Sequence, residues 1–294
     1  MSDSHNVTAL VVRPKARERA LIPNGPRLSH ASGELLSAIQ ITDEYGDHHT
    51  IQVPIERPLT VVLDGKEVAT LWTLGASAEW LVLGYLWTRQ LVNDVTALES
   101  ITVDWHSGTA AVQTRTDSSE AGVELARRPP PGITDRLGTE VDGLMTPADA
   151  FALAKMPAAR ITRTTLLAVL EGIPEDDAIY RAAGSVHGCA LYHGVDLWVS
   201  VEDVSRRNAV DTIIGWMALH GVSGADKILF TTGRLTAEIV MKVAQSGIPI
   251  IVSRKGVTAI CCELAANLGM TLFGHASRRR YICYAGVERF DAQI

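Results

Sequence analysis

Two hydrophobic textures divide the chain. Residues 51–74, IQVPIERPLTVVLDGKEVATLWTL, are β-rich runs flanking Asp64-Gly65, which predicts strands joined by a tight hairpin turn. The next stretch, ASAEWLVLGYLWTRQLV, places Leu81, Leu83, Tyr85, Leu86 and Trp87 on a broad apolar surface and predicts a buried helix. ESITVDWHSGTAAVQTR then predicts a second hairpin, turning at Ser107-Gly108. Residues 116–144 combine Pro, Gly and charge without a period and read as a long connector. Helical patterns follow near 147–156 and 162–171.

From Ile179 onward the texture alternates between element types. IYRAAGSVHGCALYHG is small, apolar and glycine-rich, and LWVSVED predicts a strand. RRNAVDTIIGWMALHG predicts a helix ended by Gly221. KILFTTG, IPIIVS, MTLFGHA and YICYAG predict strands, with helices in LTAEIVMKVAQSG and VTAICCELAANLG ended by Gly247 and Gly269. Such β-α-β-α-β alternation implies parallel strands with crossover helices. The expected architecture is α/β: a mobile tail over 1–35, a smaller strand-rich α+β domain with its connector over 36–145, and an α/β domain over 146–294.

Composition narrows this picture. The 294 residues are 47% hydrophobic and 20% charged, a globular balance, and the net charge of −6 argues against a general nucleic-acid surface. Against that background a local basic patch stands out. No apolar run has the length of a membrane span, and MSDSHNVTALVVRPKARERALIPNG lacks a signal-peptide core, so the expected location is the cytoplasm. The cysteines are Cys189, Cys261, Cys262 and Cys283, none in a C-x-x-C pair. Neither a zinc ribbon nor a dithiol redox motif is written here.

Ligands of parallel sheets collect at the carboxyl ends of strands. Those ends carry Thr231-Thr232-Gly233-Arg234, then Ser253-Arg254-Lys255-Gly256, then His275-Ala276-Ser277-Arg278-Arg279-Arg280. Hydroxyls, cations and helix N-termini together favour a phosphate-bearing anion. For a single arginine, solvated surface charge would be the simpler account; the recurrence at consecutive strand ends favours a site.

The same residues carry a family resemblance. GRLTAEIVMKVAQSGIPIIVSRKGVTAICCELAANLGMTLFGHASRRRYICY, VEDVSRRNAVDTIIG, AAGSVHGCAL and LGASAEWLVLGYLWTRQLV resemble segments of the FdhD family over roughly residues 50–286. The resemblance implies a formate dehydrogenase accessory protein that takes sulfur from a cysteine desulfurase. The sulfur passes to the molybdenum bis(molybdopterin guanine dinucleotide) cofactor, for which GDP is a mimic. It also implies a cytidine-deaminase-like C-terminal domain without zinc, and a cofactor segment falling on His275, Ala276, Ser277, Arg278, Arg279 and Arg280. Arg234, Ser253, Arg254 and Lys255 join that site by their place at the strand ends. Formate dehydrogenase and a desulfurase are the implied partners, and a homodimer is a further implication.

The chain departs from the pattern at one decisive place. The family's sulfur-bearing loop cysteine should lie within ARRPPPGITDRLGTEVDG, which has none; Asp135 or Arg136 stands there instead. A transferable sulfur needs a thiolate. Two readings stay open: a sulfur-transferring accessory protein, or a non-catalytic paralogue that binds cofactor or partner, including as one half of a hetero-oligomer with a cysteine-bearing member. A weaker third reading is an unrelated nucleotide-binding enzyme with Cys189 as nucleophile.

Cys189 and His187 are the weak catalytic candidates, two apart and so on one side of a strand; the simpler account of Cys189 is a small core residue. A zinc deaminase would need a glutamate two residues after its first ligand and a later P-C-x-x-C, and both are missing, so no metal is expected. Glu202, Asp203 and Asn208 could face the guanine or pterin, or could form a capping cluster before the helix at 206.

Overall fold

The computed structural model describes residues 20–31, 33–115, 153–172 and 178–293. Its N-terminal sheet has five strands in the order β1-β6-β7-β4-β5. These are β1 (Arg27–Leu28), β4 (Arg57–Leu63), β5 (Lys66–Thr73), β6 (Leu98–Asp104) and β7 (Thr109–Thr114). The two hairpins turn where the sequence predicts. Asp64 and Gly65 both adopt positive φ, 46° and 79°, as a tight Asp-Gly turn requires. A separate two-stranded ribbon, β2 (Leu36–Thr42) with β3 (His48–Pro54), is largely exposed.

The tail boundary at residue 35 needs correction. Arg27–Leu28 pair in parallel with β6, and the Ile22 N–H donates to the Leu219 carbonyl, so the chain is built into the fold well before residue 35. The connector at 116–144 lies outside the described residues. Of the helix expected near 147–156, residues 153–156 are described and are not helical; the Met156 N–H bonds the Leu268 carbonyl instead.

The C-terminal sheet has six strands in the order β10-β9-β11-β12-β13-β14. They are β9 (His187–His193), β10 (Asp196–Asp203), β11 (Lys227–Thr231), β12 (Ile250–Ser253), β13 (Thr271–Ser277) and β14 (Arg280–Ala285). β11, β12 and β13 run parallel, as the alternation implies. β9 and β14 run against them, and β10, antiparallel to β9, runs with them, so the sheet is mixed, because tight turns rather than crossover helices join β9 to β10 and β13 to β14.

Period-two alternation builds three layers. Cys189 and Leu191 of β9 face α4 (Arg206–Leu219), α5 (Ala237–Gln245) and α6 (Ala259–Leu268), while Ala190 and Tyr192 face α2 (Arg163–Glu171). A short parallel pair, β8 (Ile161–Thr162) with β15 (Phe290–Asp291), adds to the second face. A further helix, α3 (Ala178–Ala183), precedes β9 in a stretch whose composition shows no helical period.

The two domains meet helix to helix. α1 (Ala78–Thr88) is apolar all round because it is covered on both sides, by the N-terminal sheet and by α4. Glycines let the backbones touch: a Cβ at Gly84 would lie 1.7 Å from the Asp211 carbonyl oxygen, and one at Gly215 would lie 1.9 Å from that of Trp80. Beside this crossing the Lys242 ammonium, fully buried, donates to Asp211 Oδ2 at 2.7 Å and lies 3.3 Å from Glu238 Oε1. Thr88 Oγ1 donates to the other Asp211 oxygen at 3.1 Å, which ties α1 to α4 and α5 through one carboxylate.

Candidate functional site

A cavity of about 630 Å³ opens at the carboxyl ends of β11, β12 and β13. Because β9 is antiparallel to β11, its first residues arrive at the same edge. The Thr232 N–H donates to the Gly188 carbonyl and the Gly188 N–H to Thr232 Oγ1, each at 3.0 Å. The lining is Tyr180, Val186, His187, Gly188, Thr232 and, from the strand ends, Arg254, Lys255, His275, Ala276, Ser277 and Arg280. None is acidic.

Local backbone explains the aim of these side chains. The β13–β14 pairing slips between Gly274 and Ser277, and His275 inside this irregularity has φ +47°. That conformation is costly for a residue with a Cβ and turns side chains near sites. The His275 N–H donates to the Lys255 carbonyl at 2.9 Å, which sets the β12 loop against β13. Ser253 is fully buried; its hydroxyl donates to the Gly233 carbonyl at 2.7 Å and accepts the Lys255 N–H at 2.9 Å. It braces the loops that carry the cations and does not line the cavity.

The field in the cavity is positive. Burial lowers the His187 pKa below its ordinary value, and the cations Arg206 and Lys255 push it the same way. Burial likewise lowers Arg206, with Arg234 and Arg207 adding repulsion. Arg254, Lys255 and Arg280 take part in none of the ion pairs found among the described residues. Such a site attracts a multiply charged anion.

Of the expected site residues, His187, Arg254, Lys255, His275, Ala276, Ser277 and Arg280 come together on one cavity. Arg278 and Arg279 are exposed in the β13–β14 turn, and Arg234 is exposed after β11; none of the three lines it. Asp203 and Asn208 face elsewhere. Asp203 is buried and accepts from Thr73 Oγ1 (2.5 Å), Leu74 N–H (3.3 Å), Ser205 N–H (2.9 Å) and Asn208 Nδ2 (3.1 Å). Asn208 Nδ2 also donates to the Trp72 carbonyl at 2.8 Å. Both therefore join the domains rather than reach a ligand. Burial, the largest influence, pushes the Asp203 carboxyl up to about 6.

Cys189 is 1% exposed, packed against Val201, Ala209 and Ile213, and burial raises its thiol pKa far above the ordinary value. A thiol so held has little thiolate, which removes the basis for Cys189 as nucleophile. Asp135 and Arg136 lie outside the described residues. Among the described residues no group of three His, Cys, Asp or Glu side chains is placed to hold a metal ion. Tyr180, Val186, Gly188, Arg206 and Thr232 all stood in quoted stretches of the sequence and were not assigned to the site.

The FdhD/NarQ family model matches residues 54–291, which spans the six-stranded sheet, the five-stranded sheet apart from β1, and every described lining residue of the cavity. The chain belongs to the FdhD/NarQ family. The sulfur carrier protein FdhD of Staphylococcus aureus strain MRSA252 is 27% identical over 240 residues, covering 82% of this chain and 89% of that one. Its counterpart in strain JH9 is 26% identical over the same length. A solved structure from Desulfotalea psychrophila, assigned as a formate dehydrogenase accessory protein, superposes with a TM-score of 0.69 at 22% identity. It covers 87% of this chain and 98% of that one, a likeness of fold. With family and fold in place, the cavity of this FdhD/NarQ chain is where its chemistry should be sought.

Proposed function

We propose that this chain is a cytoplasmic accessory protein for formate dehydrogenase or a related molybdo- or tungsto-enzyme. Its cavity receives the guanosine diphosphate end of the molybdenum bis(molybdopterin guanine dinucleotide) cofactor. The observation that carries the reading is the cavity itself: Arg254, Lys255 and Arg280 converge there with two histidines and, among the described residues, no acidic lining residue, in a chain of net charge −6. Its volume of about 630 Å³ suits a nucleotide-sized ligand. Lysine and arginine supply charge-assisted hydrogen bonds to a diphosphate, Arg in forked pairs. Thr232 and Ser277 offer hydroxyls at the same wall.

The cysteines favour a role in holding the cofactor over carrying its sulfur. None lines the cavity; Cys189 and Cys261 are buried, and burial raises the thiols of Cys189, Cys261 and Cys283. Sulfur would then come from a cysteine-bearing family member acting with this chain, itself charged by a cysteine desulfurase. The second reading, sulfur carriage by this chain, draws on the name its Staphylococcus relatives bear.

Two measurements test this. GDP is titrated into the wild type and a Lys255→Ala/Arg280→Ala variant by calorimetry. The wild type should bind, and the variant should lose at least tenfold in affinity while melting at the same temperature; equal affinity removes the basic edge from the site. The protein is then incubated with a cysteine desulfurase and cysteine, trapped with an alkylator and mapped by mass spectrometry. An unlabelled chain is expected, and persulfide on any cysteine would establish the second reading.

A further inference from the structure

Among the described lining residues Tyr180 carries the largest aromatic ring, beside the smaller imidazoles of His187 and His275, and it is held by an unexpected partner. Tyr180 lines the wall and remains 52% exposed, although a large aromatic ring gains by burial. It sits on α3, a helix of six residues, too short to persist on its own. Two contacts fix that helix. Ile179 is fully buried with Leu35, Leu74 and Val186. The Glu202 carboxylate, itself 5% exposed, accepts the Ile179 N–H at 3.2 Å and the Tyr180 N–H at 2.9 Å. Those are free donors of the first turn, which a carboxylate satisfies while complementing the helix dipole.

Glu202 lies on β10 directly across from Gly188, a cavity residue, so an acidic group stands one strand away from the basic wall. Its oxygens are turned to α3. The carboxylate therefore positions the aromatic wall and does not line the cavity it neighbours.

Resting on the nucleotide reading above, we infer that Tyr180 is the surface on which the base of the bound nucleotide stacks, with Glu202 the positioning residue that holds it there. The cavity then divides its work. Arg254, Lys255 and Arg280 take the phosphates, and Tyr180 takes the base.

Calorimetry with two probes, GDP and inorganic pyrophosphate, separates these roles. The wild type should bind both. Tyr180→Ala should lower GDP affinity roughly 10- to 100-fold, in line with the loss of one base–aromatic stack, and leave pyrophosphate affinity unchanged. Tyr180→Phe should restore GDP binding. Glu202→Ala should follow Tyr180→Ala, and Glu202→Gln, which keeps one acceptor oxygen, should fall between it and wild type and serves if the alanine variant does not fold. Wild-type GDP affinity in Tyr180→Ala, or equal losses for both probes, would overturn the stacking role. Wild-type GDP affinity in both Glu202 variants would overturn the positioning role alone. A wild type that binds neither probe would instead overturn the reading of the cavity as a nucleotide site.

Discussion

The seam between the domains and the cavity at the sheet edge use charge in opposite ways. Beside the seam the buried polar groups have partners: Lys242 bonds Asp211 and lies near Glu238 within the C-terminal unit, Asp211 also accepts from Thr88 across the seam, and Asp203 accepts neutral donors from both sides. In the cavity, cations gather with no acidic lining residue among the described residues, and the neighbouring buried acids, Glu202 and Asp203, are turned to backbone and side-chain donors elsewhere. Partnered carboxylates, Asp211 and Asp203, tie the two sides of the seam in one geometry. Cations gathered without acidic neighbours suit the negatively charged ligand proposed above.

The seam breaks hardest at its most buried charge. Lys242→Ala takes the ammonium from the buried Asp211, leaving it Arg89 at 3.9 Å and the Thr88 hydroxyl, and should cost about 3–5 kcal/mol of stability in urea denaturation. A loss under about 1 kcal/mol would show that Asp211 is compensated without Lys242.

Asp203 gives the seam a pH dependence. Its carboxyl is raised from 3.8 to about 6 in the folded state, so the fold prefers its protonated form. That contribution is complete below about pH 4 and is lost as pH rises through about 6, an effect of up to about 3 kcal/mol. Asp203→Asn should flatten the change in melting temperature over that interval, and an unaltered profile would assign the dependence to another group.

The smallest effect belongs to the cavity. His187 is held below its ordinary pKa by burial and by the cations Arg206 and Lys255. A bound anion offsets that repulsion and raises it, so binding takes up a proton. GDP affinity should rise a few-fold as pH falls through the histidine range, with the His187 ring resonance shifting to higher pKa in the complex. A pH-independent affinity in wild type matching that of His187→Gln would detach His187 from the ligand.

Much of this division was legible in local pattern. The hairpins at Asp64-Gly65 and Ser107-Gly108, the all-round apolar helix at 78–88, and the parallel run β11–β13 followed from periodicity and turn chemistry. The antiparallel outer strands were harder to read, because a buried strand shows the same apolar run whichever way it points. α3 was missed because six residues hold too little period, and it stands on a carboxylate twenty-two residues away.

The sequence by itself determined the elements, the family and the gathering of basic residues at strand ends, since these are written in neighbouring positions. Only the tertiary structure decided which of them share a space. It drew Arg280 into the cavity and left Arg278 and Arg279 in an exposed turn. It buried Cys189 in the core, and it turned Asp203 and Asn208 from an apparent ligand motif into the joint between domains. The reason is the reach of the contacts: Thr73 and Asp203 are 130 residues apart in the chain, and no local period records that they will meet.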